Sequence, residues 1–154
     1  MASNRASVAQ AHEAIACLGR LTDAFQRRRE QLAASVELSD GQWGVLEEIA
    51  REHFMPSMFA RTRESSAAAV SKTLRQLLDK DLISVTLSKS DGRQRAYVLS
   101  AKGKRVMESL RQERALAIEK IWLPLDKGDI KNFAAFASEL TLRLEQYGSK
   151  PKDK

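Results

Sequence analysis

Residues 87–103 read "LSKSDGRQRAYVLSAKG", and the architecture of the whole chain can be worked outward from them. Asp91-Gly92 is a two-residue turn signal, because both residues accept positive φ at little cost, and "RAYVL" supplies a return strand. Upstream, Ile83, Val85 and Leu87 alternate with Ser84, Thr86 and Ser88, the period of two that a half-buried strand demands. The two runs predict an antiparallel hairpin with Arg93 and Arg95 near its tip. Ser100 then caps a helix from about Ala101 to Trp122, which Pro124 stops.

On the N-terminal side of the hairpin, "SAAAVSKTLRQLLDKDLI" predicts a helix with Val70, Leu74, Leu77 and Leu78 on its apolar face and Ala68, Ser71, Lys72 and Arg75 on the other. Before it, "MPSMFARTRESS" reads as a short helix with Pro56 in its first turn, then a polar turn. A short helix, a tight turn and a second helix with a basic outer face make a helix-turn-helix. Further upstream, Ser39 and Gln42 in "LSDGQWGVLEEIAREHF" form a capping box. The helix they open should run to about Phe54, with Trp43, Val45, Leu46 and Ile49 inward and Glu47, Glu48 and Glu52 in solvent.

The two ends of the chain are helical by the same test. From Val8 to Val36 apolar residues recur three or four apart, which predicts a helix of about 28 residues, roughly 42 Å long. After Asp126, the spacing of Ile130, Phe133, Ala137, Leu140, Leu144 and Tyr147 is that of a coiled-coil-like seam, ended by Gly148 and Pro151. That seam packs either within its own subunit or against a second copy. "SKPKDK" reads as a loose tail.

Composition narrows the class. Of 154 residues, 43% are hydrophobic and 30% charged, as in a soluble globular protein. No apolar run reaches membrane-spanning length and "MASNRASVAQAHEAIA" lacks the apolar block of a secretory signal, so a cytoplasmic location and no membrane partner are expected. The single cysteine, Cys17, forms no internal disulfide and reads as a buried apolar thiol ahead of a redox sensor. The net charge of +6 is uneven: residues 61–105 hold eleven basic and four acidic residues, +7, leaving −1 for the rest. A localised basic surface suits a polyanion such as double-stranded DNA, although it also suits a merely solvated face. His12 and His53 are isolated, and there is no phosphate-cradling glycine loop and no Cys/His cluster with ligand spacing. No catalytic residue, cofactor or metal is expected.

Asp91, Arg93, Arg95, Leu99, Ser100 and Gly103 together resemble the wing pattern of the MarR family of bacterial transcription regulators. "AVSKTLRQLLDKDLI" is similar to its recognition helix running into the first wing strand, and "LSDGQWGVLEEIA" to the helix before the helix-turn-helix. One departure is Asp81, which stands where the family commonly has glycine. The resemblance implies a mainly α fold with a small β-hairpin wing: a winged helix-turn-helix with long N- and C-terminal dimerisation helices. Residues 1–37 and 101–148 would form the dimerisation region, 38–100 the DNA-binding lobe and 149–154 a tail.

Roles follow residue by residue. Ser66, Ala68 and Ser71 are small enough to let the recognition helix approach base edges, and Lys72 and Arg75 suit phosphate or guanine, unless they are plain surface charges. Arg93, with Arg95 beside it, suits the narrow minor groove. By resemblance Asp91 braces an arginine at the wing tip; its other reading is a turn residue only. Relatives bind small aromatic or anionic effectors, for which Phe25, Trp43, Phe54 and Met58, with Met55 and Phe59, are candidates, though such residues are equally core. The expected function is sequence-specific DNA binding by a homodimer on a pseudo-palindromic operator, acting as a repressor released by an effector. The competing readings are a winged-helix protein-interaction module and a nonspecific nucleoid-binding protein.

Overall fold

Each α-helix described starts at a short polar motif or a proline. Ser7 and Gln10 form a capping box, as do Ser39 and Gln42. Pro56 fills the first turn of the third helix, where its missing N–H costs nothing. Ser66 Oγ accepts from Ala69 N at 3.1 Å, Ser100 Oγ from Gly103 N at 2.9 Å, and Asp126 Oδ1 from Gly128 N at 2.7 Å and Asp129 N at 3.1 Å. The elements that follow are α1 (Val8–Ser35), α2 (Asp40–Ala50), α3 (Pro56–Thr62), α4 (Ala67–Asp79), β1 (Ile83–Leu87), β2 (Arg95–Leu99), α5 (Ala101–Ala117) and α6 (Lys127–Gly148). The computed structural model describes residues 5–51, 54–63, 65–87 and 95–148. β1 and β2 pair antiparallel, Ile83 opposite Leu99 and Leu87 opposite Arg95, as a two-stranded wing requires. By compactness the chain divides into two units, Met1–Arg111 and Gln112–Lys154.

Two helices end in the same way. Glu37 (φ 60°) follows α1 and Asp81 (φ 58°) follows α4, both in the left-handed region. In each, the next amide reaches back to complete a Schellman motif: Leu38 N to Ala33 O at 2.9 Å, and Leu82 N to Leu77 O at 3.0 Å. Asp81 thus adopts the conformation a glycine would. Aspartate tolerates it better than glutamate does. Glu37→Gly is therefore expected to stabilise the protein by about 1 kcal/mol, a rise of roughly 2–4 °C in Tm, and Asp81→Gly by less; thermal melts followed by circular dichroism check the order.

In the first unit the core joins Leu32 and Ala33 of α1, Leu38 in the turn before α2, Trp43, Val45, Leu46 and Ile49 of α2, Ala60 of α3, Val70, Leu74 and Leu77 of α4, Leu82, Ile83 and Leu110. Phe54 stacks edge-on to Tyr97 of β2 (6.1 Å between centroids) and lies 5.6 Å from Phe59, seating the root of the hairpin on α3. The N-terminal part of α1 adds nothing to this core: Val8, Ile15, Leu18, Leu21 and Phe25 are exposed. In the second unit no residue of α6 is buried, and Phe136 (62% exposed), Leu144 and Tyr147 (82%) face outward, while Ile130, Ala137 and Leu140 are half-buried.

Four expectations need correction and one is refined. α2 stops at Ala50, not near Phe54, with Arg51 as its C-cap; the extended backbone that Pro56 imposes on Met55 (φ −119°, ψ 114°) bars a longer helix from passing Phe54 but does not itself set the end at Ala50. Leu78 is exposed: it lies one residue, about 100° of helical turn, past Leu77, which takes it off the buried face. Ile83 is buried but Val85 is not, since the hairpin leaves the core after its first residue. The helix from Ala101 does run to Trp122 as expected, but it is α-helical only to Ala117; residues Ile118–Trp122 form a π-helical turn closed by Leu123 N to Ile118 O at 3.1 Å. Cys17 is exposed, on the part of α1 that lies outside the core, and its Sγ accepts from the Arg20 guanidinium at 3.0 Å.

Candidate nucleic-acid interface

α4 presents two chemically distinct faces. Val70, Leu74 and Leu77 are buried, and Ala68, Ser71, Lys72 and Arg75 are all exposed. Small residues near the N-terminal end with two cations behind them leave a helix surface that can enter a groove and meet phosphate at its margin. Ser66 is exposed as well, but its hydroxyl is engaged as the N-cap of the helix. The first turn of α4 carries no acidic residue.

The side chains that set α4 in place come from α2, from α5 and from the C-cap of α4 itself. Gln42, itself buried, donates from Nε2 to Gln76 Oε1 (3.1 Å), while its Oε1 accepts from Lys80 Nζ (3.1 Å) and from Ser39 N (3.2 Å). Lys80 Nζ also donates to the carbonyl of Glu37, and the Lys80 carbonyl accepts from Lys102 Nζ at 2.9 Å. A second clamp ties α1 to α2: Arg29 lies over the Trp43 ring (4.1 Å to the centroid), pairs with Asp40 and reaches Glu47 at 3.1 Å. Neither cluster is apparent from sequence, where Gln42 reads only as a cap and Arg29 carries no signal. On α5, Arg111 is held above the ordinary guanidinium value by hydrogen bonds to Glu108 and by that carboxylate's charge, an exposed surface pair.

Arg95 lies at the start of β2. Asp91 and Arg93 lie outside the described residues. The four effector candidates are not gathered in one place. Trp43 is 2% exposed, in the core beneath Arg29, and Phe25 is on the exposed stretch of α1. Phe54 and Met58 do come together, with Met55, Phe59 and Arg63, around a cavity of about 160 Å³. Phe59 and Arg63 also border a cavity of about 250 Å³ that extends to Arg29 and Thr73. Among the described residues no three His, Cys, Asp or Glu side chains group closely enough to hold a metal ion, and no helix is long and apolar enough to cross a membrane.

Compared with known families, residues 37–94, from the exit of α1 to the wing, match the model of the MarR family. This lobe belongs to the MarR family. The match covers α2 to β1 and runs on to residue 94. The MarR fold extends over nearly the whole length. A crystal structure of a MarR family transcription regulator superposes with a TM-score of 0.81 at 13% identity, covering 92% of this chain and 95% of that one. Staphylococcus aureus MarR in complex with salicylate and kanamycin gives 0.69 at 19% identity, over 88% and 93%. The S. aureus MepR–DNA complex gives 0.63 at 15%, over 92% and 99%. No curated protein matches the chain significantly in sequence.

Proposed function

We propose that the chain is a sequence-specific double-stranded DNA-binding transcription regulator of the cytoplasm, acting as a homodimer on a pseudo-palindromic operator and repressing by occupying promoters. The observation that carries this reading is the outer face of α4, where Ala68, Ser71, Lys72 and Arg75 are exposed together opposite a buried apolar face. Lys72 and Arg75 take phosphate or guanine, Ser66, Ala68 and Ser71 permit close approach, and the wing brings Arg93, braced by Asp91, and Arg95 to the minor groove. Residues 38–100 form the DNA-binding lobe. The dimer is built from 1–37 and 101–148, a reading supported by the exposed apolar side chains of α1 and α6. Selection of bound genomic fragments should recover a palindrome with half-sites about one DNA turn apart. With about four phosphates neutralised per subunit, log K should fall with log salt at a slope near −7. Recovery of fragments without a common motif would favour a nucleoid-binding protein, and recovery of none an interaction module.

The same reading includes an effector. Arg63 lies 5.7 Å from the Phe59 ring centroid, and both side chains border the two cavities, an arrangement suited to a small aromatic carboxylate. S. aureus MarR has been crystallised with salicylate. Salicylate at millimolar concentration should weaken operator binding by the wild type and not by Arg63→Ala. Equal release of both proteins would place the effector elsewhere.

A further inference from the structure

We infer that Gln42 and Lys80 are positioning residues that fix the angle of α4 against α1, and through it the spacing of half-sites that the protein accepts; this rests on the DNA-binding dimer proposed above. The exposed DNA-facing residues occupy the N-terminal and middle turns of α4, whereas the polar ties from Gln42, Lys80 and Lys102 are at its C-terminal end. Gln76 and Lys80 are one turn apart on the same side of the helix, and the Gln42 amide bonds both, so α4 is held at two points along its axis. The Lys80 ammonium then spans to the Glu37 carbonyl, at the left-handed residue that ends α1, and its own carbonyl is held by Lys102 in the first turn of α5.

Apolar packing through Val70, Leu74 and Leu77 resists separation of α4 from the core but only weakly resists rotation or sliding, because hydrophobic contact is non-directional. Hydrogen bonds to fixed backbone and to a buried amide supply the missing direction. A helix pinned at one end works as a lever, so a small change of angle at Lys80 is amplified at Ser71. Between two protomers that displacement becomes a change in the separation of the recognition helices, which DNA reads in steps of one base pair.

The experiment compares the full-length protein with Lys80→Met, which keeps the aliphatic stem and removes the ammonium, and with Lys80→Arg, which restores a cationic donor. In a Cys17→Ser background, Ser71→Cys is spin-labelled and the distance between the labels of the two protomers is measured without DNA. The same Lys80 variants, unlabelled and with Ser71 intact, are titrated with operators whose half-site spacing differs by one base pair. Lys80→Met should broaden or shift the distance distribution and reduce the discrimination between spacings from about tenfold to about twofold or less, and Lys80→Arg should recover most of it. A purely structural role would lower Tm and weaken all spacings equally with the distribution unchanged, and that result overturns the inference. An unaltered distance distribution overturns it whatever the DNA result. Loss of specific binding in the wild type with an intact inter-label distance would instead overturn the DNA-binding reading on which it rests.

Discussion

Gly103→Ala should lower the stability of the protein by more than about 4 kcal/mol, a fall of at least about 8 °C in Tm. A Cβ at this position would lie 2.0 Å from the carbonyl oxygen of Leu82 and 3.1 Å from its carbonyl carbon. No side chain can rotate to relieve that clash, because the obstacle is backbone. The Leu82 carbonyl is itself fixed, accepting from Ser100 N at 3.0 Å, and Leu82 closes the Schellman motif of α4. Relief requires α5 to move away, which opens the core where Leu82, Ile83 and Leu110 are buried. Gly44→Ala makes the opposite prediction. Gly44 is in the interior of α2, and a methyl group there would meet nothing within 4 Å, so alanine should stabilise the helix by up to about 1 kcal/mol. Melting curves of the two variants read both signs in one experiment, and a Gly103→Ala protein that melts like wild type would refute the described packing of α5 on the Leu82 turn.

Reversing both charges on α4, with Lys72→Glu and Arg75→Glu, should weaken operator binding by at least about a thousandfold, since the dimer loses four cationic contacts of roughly 1 kcal/mol or more and gains four repulsions. Both side chains are exposed, so the melting temperature should stay within the range of an ordinary surface change. That separation of affinity from stability is the diagnostic part. Binding retained within tenfold of wild type would mean that another surface meets the DNA.

The elements whose evidence is local could be read from the sequence. The 28 residues of α1, the capping box of Ser39 and Gln42 and the strands at Ile83–Leu87 and Arg95–Leu99 depend on periodicity and on residues three apart. The outer face of α4 is of the same kind. What could not be read depends on residues distant in sequence. Arg29 finds Asp40 and Glu47 eleven and eighteen positions away, and Gln42 finds Gln76 thirty-four away. The early end of α2 at Ala50 has no local signal either, since Pro56 constrains only Met55. Trp43 is open to two readings in the sequence, as an inward core residue or as part of an effector site, and the structure places it in the core. The α6 periodicity marks an apolar seam, but the additional exposure of Phe136 and Leu142 appears only in three dimensions.

The most direct test of sequence-specific DNA binding is a fluorescence-anisotropy titration of the purified protein against its own upstream intergenic DNA, at near-physiological salt, with random-sequence competitor. The expected result is a Kd of about 10⁻⁸ M or tighter that survives roughly a hundredfold excess of competitor. A Kd near 10⁻⁵ M, lost as soon as random DNA is present in comparable amount, is the signature of charge alone and would contradict it.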